Sequence, residues 1–373
     1  MVVQRSIPVG QQQARMRWGT HASGEAFDRK KSSYLTEQAQ KFMAQQALCV
    51  VSGLDPQNEL GGLLILDTPG FVQALDTHTC LIKLDSSLRD TRIVQRLLQA
   101  HLLEEEIYLG LFFICHPTRE RLCVQGTAEL LRSDTIDQPP QPPRSIWQRL
   151  QDFLSKGKQA TQAPQSLAPL WVRLHVQRSF FHCAKYIKTR IAGLTYLGEE
   201  SAAHKWRQFH LPGPSYLSDE VRAFLAEQIL CYLCTVDQEG QCAVNHRGGT
   251  AGFLVTLPPD EVAPGGTILL PDYTGNGAFE AIGNIFETGQ AALVVPNYAA
   301  QLALCISGSA RVLEPKDLAP ELAQRCAGAE RVVALSVQHV EMQRSNWSEA
   351  LTYERARAKS VTIANINDDA CTL

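Results

Sequence analysis

Two short polar stretches carry the chemistry of this sequence. In "NHRGGTAGF", residues 245–253, a histidine and an arginine precede two glycines, and a third glycine precedes an aromatic residue. Glycine inside a strand marks a bulge or a place where another group approaches the backbone. A cation beside such a backbone suits a small anion, although a bulge without function fits the same residues. The second stretch, "LLPDYTGNGAFEAIGN" from residue 269, ends a strand-like run and enters a helical one, in which Phe279, Ile282 and Phe286 recur at helical spacing. Free amides at a helix N-terminus bind phosphate, and Gly275, Asn276 and Gly277 stand just before that helix. Arg247 could then act as a charge-assisted partner.

Other chemistries find no support. There is no GxxxxGK[ST] loop and no GxGxxG after an initial strand, so neither a P-loop nor a Rossmann site is indicated. No Ser/His/Asp set can be assembled by spacing, and no catalytic acid, base or nucleophile stands out. A protein that holds an electron-carrying cofactor needs none of these.

The elements that must position the two stretches emerge from an internal repeat. "FMAQQALCVVSGLD" at residue 42 and "FLAEQILCYLCTVD" at residue 224 share six of fourteen positions. The same offset of 182 pairs "TPGF" at 68 with "TAGF" at 250, and "RLCVQGTAELL" at 121 with "ALCISGSARVL" at 303. In the second copy strands are predicted near 229–236, 241–246, 251–257, 267–271, 291–296, 302–313 and 331–338, with one helix over 277–289. Many short strands with few helices predict a mainly β, α+β fold with a small barrel in each copy.

The expected organisation is an N-terminal arm (1–35), a degenerate first barrel (36–132 with 170–195), a Pro-rich linker or excursion (133–169), a second barrel (213–350) and a tail (351–373). The length of 373 residues accommodates two such units. A net charge of -3 excludes a broad electrostatic footprint for nucleic acid or anionic membrane. The N-terminus has no apolar signal core, and no apolar run approaches the ~20 residues of a membrane span, which predicts a cytoplasmic protein. Its eleven cysteines then read as reduced, mostly buried thiols. Cys231 and Cys234 form a C-x-x-C, but on a strand they point to opposite faces, so no metal site is expected.

Taken together, "HRGGTAGF", "LLPDYTGN", "IGNI" and "ISGSARVL" resemble the pyridoxamine 5'-phosphate oxidase-like family of FMN-binding split barrels. The resemblance is strongest to a two-barrel branch whose second half carries an S-H-R-G-G-x-P-G-F strand, a P-D-x-x-G-N turn and an L-G-N helix. Its first half has T-R-R-R-L-R-V-N-G and C-P-K-Y-I-Q-x-R, where this chain has "TRERLCVQG" at 118 and "CAKYIKTR" at 183. Asn245 stands where Ser is usual, Ala251 replaces Pro, and Glu120 and Cys123 replace two basic residues.

The resemblance implies two tandem split barrels related by a pseudo-two-fold, with a flavin, FMN, lying between them. Arg247, Gly248, Gly249 and Thr250 would line it on the second barrel, with Pro271, Asp272, Gly275 and Asn276 near the ribityl phosphate. From the first barrel, Arg119 and Arg121, expected on one strand face, and Lys185 and Arg190 would reach across, although a solvated surface accommodates all four. His246 is a further candidate that a regular strand would point away from Arg247. Arg344 and Trp347 match a C-terminal arginine and tryptophan of related oxidases only poorly. The implied function is FMN-dependent oxidoreduction of a small molecule, with no catalytic side chain assigned and one FMN per chain, because "GGLLILDTPGF" lacks the arginine. A separate reductase or ferredoxin-like donor would serve as partner, since larger chains of the branch continue into a reductase-like module. A pseudo-dimer forms within one chain, and further pairing into a homodimer stays open. The alternatives are a non-catalytic flavin carrier or redox sensor, and a haem-binding or haem-degrading split barrel.

Overall fold

The computed structural model describes residues 7–131, 169–182, 205–211 and 216–370, with side chains to residue 360 in the last helix. Helices α1 (Val9–Arg17) and α2 (His21–Asp28) form an N-terminal arm. The first half follows as α3 (Glu37–Ala44), β1 (Leu48–Leu54), β2 (Leu60–Leu66), β3 (Val72–Ala74), β4 (Thr79–Leu84), α4 (Arg92–Leu103), β5 (Ile107–Cys115), β6 (Glu120–Leu130) and β7 (Leu170–His182). The second half begins with α5 (Asp219–Ala226), β8 (Leu230–Val236), β9 (Cys242–Gly248), β10 (Val255–Leu257) and β11 (Thr267–Asp272). It continues as α6 (Glu280–Thr288), β12 (Gln290–Asn297), β13 (Leu302–Leu313), α7 (Pro320–Arg325), β14 (Arg331–Arg344) and α8 (Ser348–Ala370).

Each half is a seven-stranded antiparallel sheet curled into a split barrel with flanking helices. The orders, β2-β1-β5-β6-β7-β4-β3 and β9-β8-β12-β13-β14-β11-β10, are the same when each half is counted from its own first strand. Local chemistry recurs with it. Thr36 caps α3 by accepting from Ala39 N, and Ser218 caps α5 by accepting from Val221 N. Both sheets carry a bulge in the same place, between Gln125 and Gly126 and between Ser307 and Gly308. A Cβ at Gly126 would lie 1.9 Å from His175 O, and one at Gly308 2.0 Å from Ser336 O. Only glycine lets the neighbouring strand approach so closely, which accounts for the glycine shared by "VQGTAELL" and "ISGSARVL".

Separate apolar cores fill the two barrels, and a third lies between them. In this third core Leu64, Phe112 and Cys123 of the first half pack with Tyr232, Val244 and Val294 of the second. The contacts are reciprocal: β2 lies on β12 and β13, while β9, its counterpart, lies on β5 and β6. That reciprocity is the pseudo-two-fold expected from the sequence. The first residue of each post-β4-type helix also reaches across: Arg92 Nη1 donates to Ser307 Oγ at 3.0 Å, and Glu280 Oε1 accepts from Gln125 Nε2 and Arg178 Nη1, each at 3.5 Å.

Four expectations need adjustment. Strand β14 runs on to Arg344 rather than ending near 338. Helix α6 starts at Glu280 rather than 277, because Phe279 sits in the left-handed region with φ 55°. The C-terminal residues read as a tail form helix α8 to Ala370. Arg119 does not share a strand with Arg121: it closes the β5–β6 turn at φ 63°, its N–H donating to Cys115 O at 2.7 Å. Cys231 and Cys234 are both buried and on opposite faces, one in the second-barrel core and the other between the barrels.

Candidate functional site

A cleft opens between the barrels where β9, the end of β11 and the start of α6 face β5, β6 and β7. The second barrel contributes Asn245–Gly248, Pro271–Ile282 and Arg331, the first Phe112, Arg121 and His182, and the arm Phe27. Both polar stretches singled out in the sequence thus line one cavity. At the mouth of α6 the left-handed Phe279 ends the incoming loop, and Ala278 N donates to Asn276 Oδ1 at 3.1 Å. The first-turn residues Glu280, Ala281 and Ile282 face the cleft, so the positive end of the helix does too. Asn284 of the "IGNI" segment anchors the helix by donating to Thr235 Oγ1 at 3.1 Å.

Arg247 projects from β9 beside this loop. Its Nη1 donates to Asp272 Oδ1 at 2.6 Å, while its Nε is buried without a partner. The other oxygen of Asp272 accepts from Arg331 Nε at 2.7 Å. Arg331 is 1% exposed, and its guanidinium lies 4.6 Å from the Phe279 ring and 5.0 Å from that of Trp18. One carboxylate therefore fixes two guanidiniums, and with Arg121 three cations border the cleft against Asp272 and Glu280. The balance favours an anion.

The first-barrel wall combines Arg121 with a neutral pair. His182 Nε2 lies 3.0 Å from Cys123 Sγ. Burial, and then the Arg121 charge, pushes the His182 imidazole down to about 3, and burial pushes the Cys123 thiol up, so thiol and imidazole both stay uncharged at neutral pH. His246 is likewise held down to about 3 by burial and by Arg121, and its Nε2 is buried without a partner. Behind it burial keeps His116 well below its usual range, and the rings of His246 and His116 stand 6.1 Å apart.

The expected site residues fall into four groups. Arg247, Gly248, Pro271, Asp272, Gly275, Asn276, Arg121 and His246 come together in the cleft. Gly249, Thr250 and Arg119 lie outside its lining: Gly249 packs on Phe253, where a Cβ would come within 2.6 Å, and Thr250 is exposed. Lys185 and Arg190 lie outside the described residues. Arg344 and Trp347 are structural: Arg344 Nη2 donates to Trp206 O and Phe209 O at 2.9 and 2.8 Å, and Trp347 is fully buried beside Tyr298.

Sequence reasoning missed Phe27, Phe112, His182, Glu280 and Arg331. Arg331 and the arm residues are brought in by tertiary packing, with no spacing signal. His182 had one available signal, its place directly before "CAKYIKTR".

The pseudo-equivalent place on the other side of the interface is closed. His182 pairs with Arg121 across β6 and β7, as Gln343 pairs with Ala303 across β13 and β14. Gln343 accepts from Leu64 N at 3.0 Å and donates to Leu64 O, so its amide zips β14 to β2 where the other side leaves a cleft.

Residues 217–345 match the family model described as pyridoxamine 5'-phosphate oxidase. That match falls on the second barrel. It contains "HRGGTAGF", "LLPDYTGN", "IGNI" and "ISGSARVL", the second-half segments of the sequence resemblance. No curated protein sequence matches the chain. Among solved structures, the chain is similar to HupZ of Group A Streptococcus, at 19% identity and a TM-score of 0.25 over 33% of this chain and 90% of that one. A pyridoxamine 5'-phosphate oxidase-related, FMN-binding protein of Nostoc punctiforme matches at 14% identity and a TM-score of 0.24, covering 38% of this chain and 76% of that one. HutZ, a haem storage protein of Vibrio cholerae, matches at 11% and 0.21, covering 34% and 93%. Among the described residues no helix is long and apolar enough to cross a membrane, and no group of His, Cys, Asp or Glu is arranged to hold a metal ion.

Proposed function

We propose that the chain binds one FMN in the inter-barrel cleft and acts as a flavin-dependent oxidoreductase on a small molecule. The observation that carries this reading is the cleft itself: Arg247 and the open first turn of α6 from one barrel face Arg121 from the other. The residues present fit a phosphate-bearing flavin. Arg247, with its Nε free, and the backbone of Gly275–Glu280 would hold the phosphate, while Phe27, Phe112 and the neutral His182 and His246 offer flat, uncharged walls for a ring system. When bound, the isoalloxazine supplies the electron-transfer chemistry, and the protein's part is to orient it and exclude water. Electrons would come from a separate reductase or ferredoxin-like donor.

The test is the absorption spectrum of the purified protein, followed by mass analysis of the released cofactor. A flavin spectrum with the mass of FMN supports the reading. A colourless protein that takes up no FMN on titration rejects it, and a yellow protein without turnover from any electron donor makes it a carrier or sensor. One observation favours a second reading, a haem-binding protein: the buried, unpartnered Nε2 of His246 stays neutral, as an iron ligand must. The same spectrum separates the two.

A further inference from the structure

Helix α1 crosses α6 at a pair of glycines. A Cβ on Gly10 would lie 2.2 Å from Gly283 O, and one on Gly283 2.5 Å from Gln11 N. This contact lays three arm side chains on the two peptides that precede α6. Thr20 Oγ1 donates to Gly277 O at 3.2 Å, and Gln11 Nε2 and Arg15 Nε both donate to Ala278 O, at 2.7 and 3.1 Å. Arg15 is fully buried and paired with Asp28 at 2.7 Å. In a trans peptide the C=O and N–H point in opposite directions, and among the described residues no peptide bond is cis. Donors that hold these two carbonyls against the arm therefore turn the N–H groups of Ala278 and Phe279 away from it; that of Ala278 donates to Asn276 Oδ1 and fixes the loop, and that of Phe279 is turned towards the cleft. Both residues line the cleft.

We infer that Gln11, Arg15 and Thr20 are positioning residues that fix the loop before α6 and aim the Phe279 amide at the anion-binding end of the cleft, which makes the N-terminal arm part of the phosphate site. The inference rests on the flavin reading above and sharpens it. It gives these residues no contact with the flavin ring, so flavins with and without phosphate must respond differently.

The experiment titrates FMN and riboflavin, by quenching of flavin fluorescence, into the full chain and into Gln11→Met, Thr20→Val and Arg15→Lys, with circular dichroism to check folding. Each variant should bind FMN roughly three- to ten-fold more weakly, the effect of one lost hydrogen bond, with riboflavin affinity within about two-fold of wild type. Should Arg15→Lys fail to fold, the other two carry the test. Unchanged FMN affinity in both, or equal losses for FMN and riboflavin, overturns the arm's role and leaves the cofactor reading standing. A wild-type chain that binds neither flavin overturns both.

Discussion

Arg247 and Asp272 meet at 2.6 Å, so the cation expected to grip an anion is already held by a carboxylate. The pair sets the direction of the guanidinium, and its buried, unpartnered Nε leaves one edge available. Arg247→Ala should weaken FMN binding by about 1.5–3 kcal/mol, the range for a hydrogen bond to a charged group. Fluorescence titration measures it, and unchanged affinity would remove Arg247 from the site.

Asp272 has a second duty. Arg331 is almost wholly buried, and Asp272 supplies its buried charge partner. Asp272→Asn keeps the shape and removes the charge, leaving two guanidiniums to repel each other. We expect a loss of about 3 kcal/mol of stability, as for other broken buried pairs. Thermal melts of the two proteins check this, and equal melting temperatures would show that the aromatic faces of Trp18 and Phe279 suffice for Arg331.

The half-buried cleft histidines predict a dependence on pH. His182 and His246 are pushed down to about 3 in the folded chain, chiefly by burial, against an ordinary value of 6.5. Between those values the unfolded chain binds protons that the folded chain cannot. Stability is therefore fully present above pH 6.5 and falls as the pH drops towards 3, by up to about 1.4 kcal/mol per pH unit for each group. Melting temperatures at pH 7.5, 6 and 5 should decline in that order (buffer values of roughly this spacing suffice), and His182→Gln should make the decline shallower. A flat profile would mean that these imidazoles are open to solvent.

Stoichiometry follows from Gln343. Its two bonds to Leu64 shut the pseudo-equivalent cleft, and Ile65, not an arginine, faces the position that Arg247 holds in the other half. Purified, flavin-saturated protein should release one FMN per chain on denaturation. Two per chain would show that the Gln343 zip opens.

What the sequence made legible was whatever repeats or is local. The offset of 182 places β1 and β8 correctly at Leu48 and Leu230, because identical cores demand similar residues at matching positions. Strand β13, predicted over 302–313, has those bounds. Arg247 and the Pro271–Asn276 turn were visible because each sits in a compact polar motif. The arm was expected, but its role at the site was not visible, since it has no counterpart in the other half and its bonds to Gly277 and Ala278 span more than 250 residues. Arg119 was misplaced because alternation assumes that the strand has begun, and the left-handed turn at that residue precedes it.

The cross-barrel grips of Arg92 and Glu280 carry opposite charges, and so do their surroundings. Arg92 meets Ser307 and Glu341 on the second barrel, whereas Glu280 meets Gln125 and Arg178 on the first. In an isologous dimer of identical barrels each patch would have to meet itself. Two first barrels so arranged would set Arg92 against Arg178, and two second barrels would set Glu280 against Glu341. The halves thus offer each other different chemistry at matching places, a basic grip from one and an acidic grip from the other, the kind of difference by which one pairing is told from another.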